Sequence, residues 1–74
     1  MVVWSVKVWM RDGRDFESAW YRFDTEEEAE SYYDSTKLSR DIDQVEMYKG
    51  ELGDDGVVVN EEQIKMKSNH YWDW

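Results

Sequence analysis

Apolar and polar residues alternate with a period of two at the start of the chain. The even positions are all apolar, and they are Val2, Trp4, Val6, Val8 and Met10. The odd positions between them are mixed, which is typical of a β-strand with one buried face. Asp12-Gly13 follows, and an Asp-Gly pair favours a two-residue hairpin turn because both residues tolerate positive φ. The pattern predicts a β-hairpin over residues 2–23.

The predicted turn also sets the pairing of the two strands. A type I′ turn at Asp12-Gly13 pairs residues whose numbers sum to 25. The predicted pairs are Val2–Phe23, Trp4–Tyr21 and Val6–Ala19 on one face, and Val3–Arg22, Ser5–Trp20 and Trp9–Phe16 on the other. A slip of one residue would move every side chain of one strand to the wrong face. We expect the first face to form the core, and the second is called the aromatic face.

The segment after the hairpin has the pattern of a helix start. Thr25, followed three residues later by Glu28, forms a capping box, and the neighbouring glutamates suit the positive end of the helix dipole. Residues that recur with the helical period predict a face packed on the sheet, and they are Ala29, Tyr32, Tyr33 and Thr36. We expect the helix to end near Leu38 or Ser39, with Lys37 in its last turn.

The second half of the chain predicts two more strands. Residues 42–52 alternate between apolar and polar and predict a third strand, with Gly50 at a bulge or strand end. A turn rich in Gly and Asp leads to a fourth strand at residues 57–59. Residues 60–67 fit a short helix or an extended strand, and their alternation favours the strand. The expected fold is a single α+β domain over residues 1–74, an antiparallel sheet of about four strands with one helix packed on one face (ββαββ).

Composition excludes several classes of function. The chain has no cysteine and one histidine, His70, so disulfides, thiolate metal sites and a His-based metal cluster cannot form. No phosphate-binding, dinucleotide-binding or nucleophile-elbow motif occurs. Glu51, Asp54 and Asp55 could offer oxygens to Ca²⁺ or Mg²⁺, but they lack EF-hand spacing, so a solvated turn is favoured. We predict a protein that is not an enzyme and that uses no cofactor or metal.

The apolar start of the chain does not predict a membrane segment. Lys7 interrupts residues 2–10, which are also shorter than the ~20 residues that cross a bilayer. A basic leader and a small-residue cleavage site, which mark a signal peptide, are both missing. We therefore expect a soluble, cytoplasmic protein that makes no membrane contact.

Negative charge is concentrated in the middle of the chain. Residues 23–62 carry fourteen acidic and three basic side chains, whereas the net charge of the whole chain is −9. The predicted acidic surface consists of Glu27, Glu30, Asp34, Asp54 and Asp55. Such a surface repels nucleic acid and can occupy the basic groove of a nucleic-acid-binding protein. The alternative is a solvated surface that only keeps the chain soluble.

The aromatic face is the second candidate binding surface. With the aromatic end of the chain, residues 68–74, its candidate residues are Trp9, Phe16, Trp20, Trp72 and Trp74. Exposed apolar patches mark interfaces, and tryptophan often dominates binding energy. The end of the same chain, a second copy, or a different protein could cover this face. Stacking of single-stranded nucleic acid on it is disfavoured by the net negative charge.

The whole chain resembles a type of protein rather than a family with a diagnostic motif. Small size, no cysteine, strong acidity, many tryptophans and a ββα start with the 23–29 turn are similar to accessory proteins of tailed bacteriophages. That group includes anti-CRISPR and anti-restriction proteins, some of which mimic DNA. The resemblance implies an inhibitor or modulator of a host protein, acting in the host cytoplasm through protein binding. The alternative is a self-associating protein whose aromatic face is a homodimer interface.

Overall fold

The computed structural model describes residues 1–12 and 15–68. Four strands and one helix follow one another within these residues as β1 (Val2–Asp12), β2 (Asp15–Phe23), α1 (Glu26–Ser35), β3 (Ile42–Leu52) and β4 (Val58–Ser68). The strands form one antiparallel sheet in the order β2-β1-β3-β4. The α+β class and the four antiparallel strands are confirmed, and β3 has the predicted bounds. No helix within these ranges is long and apolar enough to cross a membrane.

The core lies on one face of the sheet, which is called the core face. Residues of β1, β3 and α1 form one buried cluster of Val6, Val8, Ala29, Tyr33, Val45 and Met47. The strand register explains the cluster, because Val6 lies opposite Met47 and Val8 lies opposite Val45. Full burial of one such side chain stabilises the fold by roughly 1.5–3 kcal/mol. The even positions of β1 therefore point to the core, as their alternation predicts.

Side-chain caps set the two ends of α1. The Oγ1 atom of Thr25 accepts a hydrogen bond from the Glu28 backbone N–H at 3.2 Å, which confirms Thr25 as the N-cap. The predicted C-terminal end is wrong, because the helix already ends at Ser35. Thr36 has an extended backbone, and its N–H and hydroxyl both donate to the Tyr32 carbonyl, at 3.0 and 2.8 Å. Hydroxyl bonds of this kind compete with helix continuation.

The hairpin register differs from the prediction by two residues. Trp4 lies opposite Phe23, and Asp12 lies opposite Asp15, so paired residue numbers sum to 27. The predicted pairs, which sum to 25, are therefore wrong. The two connecting positions are residues 13 and 14, which lie outside the described residues. Because the shift is an even number, each side chain keeps the face that was predicted for it.

Cation–π pairs give a physical reason for this register. It places Lys7 opposite Trp20 and Arg11 opposite Phe16. The Lys7 Nζ lies 4.7 Å from the Trp20 ring centroid, and the Arg11 Cζ lies 5.2 Å from the Phe16 centroid. Each such contact contributes about 0.5–1 kcal/mol at an exposed site. The predicted register would have placed neither cation opposite its ring.

The strand β4 is irregular where it pairs with β3. The register shifts twice along this pairing, and the second shift is at Gly50, which confirms the predicted bulge. A Cβ atom on Gly50 would lie 2.6 Å from Val58 Cγ1, so the two strands approach too closely there for a side chain. Asn60 in the bulge has a positive φ of 54°. The strand β4 runs without a break from Val58 to Ser68. The strand interpretation of residues 60–67 is therefore confirmed, whereas the bounds 57–59 predicted for the fourth strand are wrong.

Candidate binding surface

The three aromatic residues predicted on the outer side of the hairpin lie on the face opposite the core. The register places Lys7 between Trp20 of β2 and Glu46 of β3, and paired residues point to the same face. The aromatic face of the sheet therefore comprises Lys7, Trp9, Phe16, Trp20, Glu46 and Tyr48. The side chains of Phe16 and Trp20 are 50% and 49% exposed. They present a large apolar area to solvent at the β2 edge.

Lys7 holds two of the indole rings. Its Nζ lies 4.3 Å from the Trp9 centroid and 4.7 Å from the Trp20 centroid. Trp20 also packs against the Tyr48 ring, with the centroids 5.5 Å apart and the planes tilted by 38°. An aromatic pair of this geometry adds about 0.5–1.5 kcal/mol beyond area burial. Trp20 is thus exposed and yet held in position by contacts on two strands.

Glu46 is the buried acceptor at the centre of this face. It is only 9% exposed. Its Oε2 accepts from Trp9 Nε1 at 2.9 Å, and its Oε1 accepts from the Tyr48 hydroxyl at 2.7 Å and Gln63 Nε2 at 3.1 Å. Hydrogen bonds to a charged acceptor are shorter and stronger than neutral ones. One carboxylate therefore fixes side chains from β1, β3 and β4.

The same carboxylate changes the acidity of its tyrosine neighbour. The hydrogen bond to Glu46 raises the pKa of the Tyr48 phenol from 10.0 to about 12, and desolvation and the charges of Glu46 and Glu61 act in the same direction. The phenol consequently remains protonated and able to donate above pH 10, where an ordinary tyrosine ionises. The position of the Tyr48 ring, against which Trp20 packs, is stabilised by this bond.

Two shallow depressions lie on this side of the sheet. The larger one, about 440 Å³, is lined by Lys7, Trp9, Phe16, Asp43, Gln44 and Glu46. The other, about 390 Å³, is lined by Ser5, Trp20, Arg22 and Glu61. Both are open to solvent, unlike the enclosed apolar sites that bury a small ligand.

The predicted acidic surface divides into two groups, and the first lies on α1. Lys65 of β4 contacts Glu30 at 3.1 Å and Asp34 at 3.7 Å. The hydrogen bond to Glu30 raises the pKa of the Lys65 ammonium, and desolvation opposes part of this increase. The positive charge of Lys65 therefore partly neutralises the carboxylates of Glu30 and Asp34. Glu27 lies in the first helical turn and lines a separate open groove of about 500 Å³ with Phe23.

The second acidic group lies in the turn between β3 and β4. Asp54 and Asp55 are exposed, and the Asp55 Oδ1 accepts the backbone N–H two residues further on at 3.1 Å. Lys65 pairs with Met47, whereas the turn begins after Leu52. Five residues of strand span about 16 Å. The two acidic groups are thus separated along the sheet, one near the middle of β3 and the other beyond its end.

The structure also shows what sequence patterns missed on the aromatic face. Period two placed Glu46 and Tyr48 on the polar side of β3, but gave no sign that they share a hydrogen-bond network with Trp9. That network depends on the strand order, which local alternation does not encode. The other two predicted residues of this face, Trp72 and Trp74, lie outside the described residues.

Known proteins offer no further guide to this surface. Among residues 1–12 and 15–68, no three acidic or histidine side chains cluster as a metal site would require. Comparison of the chain with protein-family models, with curated proteins and with solved structures finds no match.

Proposed function

We propose that this chain is a non-enzymatic protein-binding module that inhibits or modulates a host protein. The supporting observation is the aromatic face, where Phe16 and Trp20 are half exposed although Lys7, Arg11 and Tyr48 hold them in place. The proposal that a bacteriophage encodes the chain, and that it acts in the host cytoplasm, is supported by the resemblance in overall character to phage accessory proteins.

Pre-ordered aromatic side chains are suited to be binding anchors. A few buried aromatic or arginine side chains carry most of the energy of a typical interface. Ordering a mobile side chain on binding costs about 0.5–1.5 kcal/mol. Trp20 already has contacts to Lys7 and Tyr48 in the free chain. Binding of a partner to Trp20 would therefore cost less conformational entropy than binding to a mobile side chain.

We infer that the helix α1 lies across the core face of the sheet. Ala29 and Tyr33 of α1 share the buried cluster with Val6 and Val45, which supports this placement. On the opposite face Val3, Ser5 and Glu46 are buried, but Phe16 and Trp20 are half exposed. An exposed apolar patch of this kind supports an interaction site.

The charge distribution favours a partner with a basic surface. The chain has a net charge of −9, and a field of that sign accelerates encounter with basic proteins and repels nucleic acid. Direct stacking of nucleotide bases is also disfavoured, because the Lys7 ammonium lies over both Trp9 and Trp20. We infer that the partner is a basic, nucleic-acid-binding host protein that contacts the acidic surface, the aromatic face, or both. Its binding should weaken with added salt.

Affinity capture from a host lysate, followed by binding measurements on the purified partner, tests this proposal. We compare the native chain with Trp20→Ser and with Val59→Ser, a control at a β4 position that is 48% exposed. We expect at least a tenfold loss of affinity for Trp20→Ser, which corresponds to about 1.4 kcal/mol, and little change for Val59→Ser. The proposal is contradicted if the affinity of the partner changes neither with Trp20→Ser nor with added salt.

A further inference from the structure

The strand β2 forms one edge of the sheet, and no other described element pairs with its outer side. It occupies one end of the strand order, and its pairing with β1 runs from Trp4–Phe23 to Asp12–Asp15 with no register shift. It contains no proline and no lysine. The opposite edge, β4, has two register shifts and two lysines. Bulges, lysine, proline and inward-pointing charges are the usual means of preventing edge pairing. Of these β2 has only an inward-pointing charge, Glu17 opposite Met10, so β4 is the better protected edge.

We propose that β2 pairs with β2 of a second copy of this chain, in antiparallel orientation about a two-fold axis. The two four-stranded sheets then join into one sheet of eight strands. Paired residue numbers sum to 38 in this arrangement, and the pairs are Asp15–Phe23, Phe16–Arg22, Glu17–Tyr21, Ser18–Trp20 and Ala19–Ala19. This inference concerns the edge of the sheet and does not depend on the proposed host partner.

The structure and sequence of β2 select this register. Side chains alternate between faces, so only an even sum keeps the two core faces on the same side of the joined sheet. Among even sums, 38 is the one that aligns all nine residues of β2 with each other. A sum of 40 would instead place Trp20 directly opposite its own copy.

Size and charge are complementary in the proposed pairs. Trp20 lies opposite the small Ser18, and Phe16 lies opposite the Arg22 guanidinium, a favourable cation–π combination. No two like charges are directly opposed, which matters because like charges in cross-strand pairs are destabilising. The aromatic faces of the two copies also become continuous across the joined edges.

Single-cysteine variants test the register directly, because the native chain contains no cysteine. Directly opposed residues in an antiparallel pair have Cα atoms about 4.5–5.5 Å apart, within the range that a disulfide spans. Ala19→Cys should therefore crosslink to its copy under mild oxidation. Glu17→Cys is the matched control, since two copies of that residue would be four positions apart, about 13 Å. We expect at least tenfold more crosslinked dimer from Ala19→Cys.

Several outcomes would overturn the inference. The inference is wrong if Ala19→Cys and Glu17→Cys crosslink to the same extent. It is also wrong if neither variant crosslinks. Preferential crosslinking of Trp20→Cys would also overturn the proposed register, because two copies of Trp20 meet only in the register that sums to 40 or in a dimer that buries the aromatic face. Sedimentation of the native chain provides an independent measurement. The mass should rise from one chain towards two between micromolar and millimolar concentration, and a monomer throughout would refute edge pairing.

Discussion

Trp9 and Glu46 are joined across two neighbouring strands by a hydrogen bond of 2.9 Å from the indole Nε1 to the carboxylate Oε2. Trp4, on the opposite face of the same strand, has a buried Nε1 with no hydrogen-bond partner among the described residues. The two tryptophans of β1 are thus chemically different. Trp9 belongs to the polar network of the aromatic face, whereas Trp4 packs against the core with the Lys49 Nζ 6.0 Å from its ring centroid.

Removing the Glu46 carboxylate should destabilise the fold markedly. In Glu46→Ala, Trp9, Tyr48 and Gln63 lose their shared acceptor. A buried polar group left unsatisfied costs about 1–3 kcal/mol, so we expect the free energy of unfolding to fall by about 2–3 kcal/mol. Urea denaturation followed by tryptophan fluorescence measures this. Glu62→Ala, at an exposed position of β4, should change stability by less than about 0.5 kcal/mol, and equal losses in both variants would contradict the prediction.

The Tyr48 phenol should titrate later than an ordinary tyrosine. Its pKa of about 12, against an ordinary value of 10.0, means that the folded chain holds the proton more strongly than the unfolded chain. This contribution to stability is complete below pH 10 and is lost as the pH rises through 12. The difference in tyrosinate absorbance between the native chain and Tyr48→Phe isolates this group.

Glu46→Gln provides the control for that titration. It replaces the charged acceptor of the hydrogen bond, which is the main cause of the raised Tyr48 pKa, by a neutral one, removes the nearby negative charge, and leaves a side chain of similar shape. The Tyr48 pKa should therefore fall towards its ordinary value in this variant. If the native Tyr48 ionises at the ordinary value of 10.0, the hydrogen bond to Glu46 does not persist in solution.

Local alternation was sufficient to predict the first three strands, but it gave the fourth strand only residues 57–59 of a strand that spans Val58–Ser68. It also did not determine how the hairpin strands align. The Asp12–Asp15 segment contains turn-forming residues at more than one position, so the turn alone left the register open. The observed pairing brings Lys7 opposite Trp20 and Arg11 opposite Phe16. Those contacts connect residues that lie on different strands. A prediction made from the Asp12-Gly13 dipeptide takes no account of such contacts.

The binding surface was less predictable than the strands because it combines distant segments. Glu46 meets Trp9 only because β3 lies beside β1, and it meets Gln63 only because β4 lies beside β3. Lys65 similarly reaches Glu30 across the gap between β4 and α1. Sequence periodicity describes one element at a time. Contacts such as these require the strand order to be known first.

Gly50→Ala should destabilise the chain, and shortening Val58 should partly restore stability. The added Cβ would lie 2.6 Å from Val58 Cγ1 and 3.1 Å from Glu61 Cγ. Overpacking of this kind costs about 1–3 kcal/mol. Val58→Ala removes the closest atom, so the double variant should lose less stability than the sum of the two single variants. Additive losses, measured by urea denaturation, would show that the strands do not approach closely at this bulge.

Replacing each β1 tryptophan by phenylalanine should separate the hydrogen bond of Trp9 from its packing. Both variants lose part of a ring, but only Trp9→Phe removes a donor to Glu46, whereas Trp4→Phe removes a buried N–H that has no described partner. A hydrogen bond to a charged group contributes about 1.5–3 kcal/mol. Trp9→Phe should therefore lower the free energy of unfolding by about that much more than Trp4→Phe. If urea denaturation gives the opposite order, the Trp9–Glu46 bond does not stabilise the aromatic face.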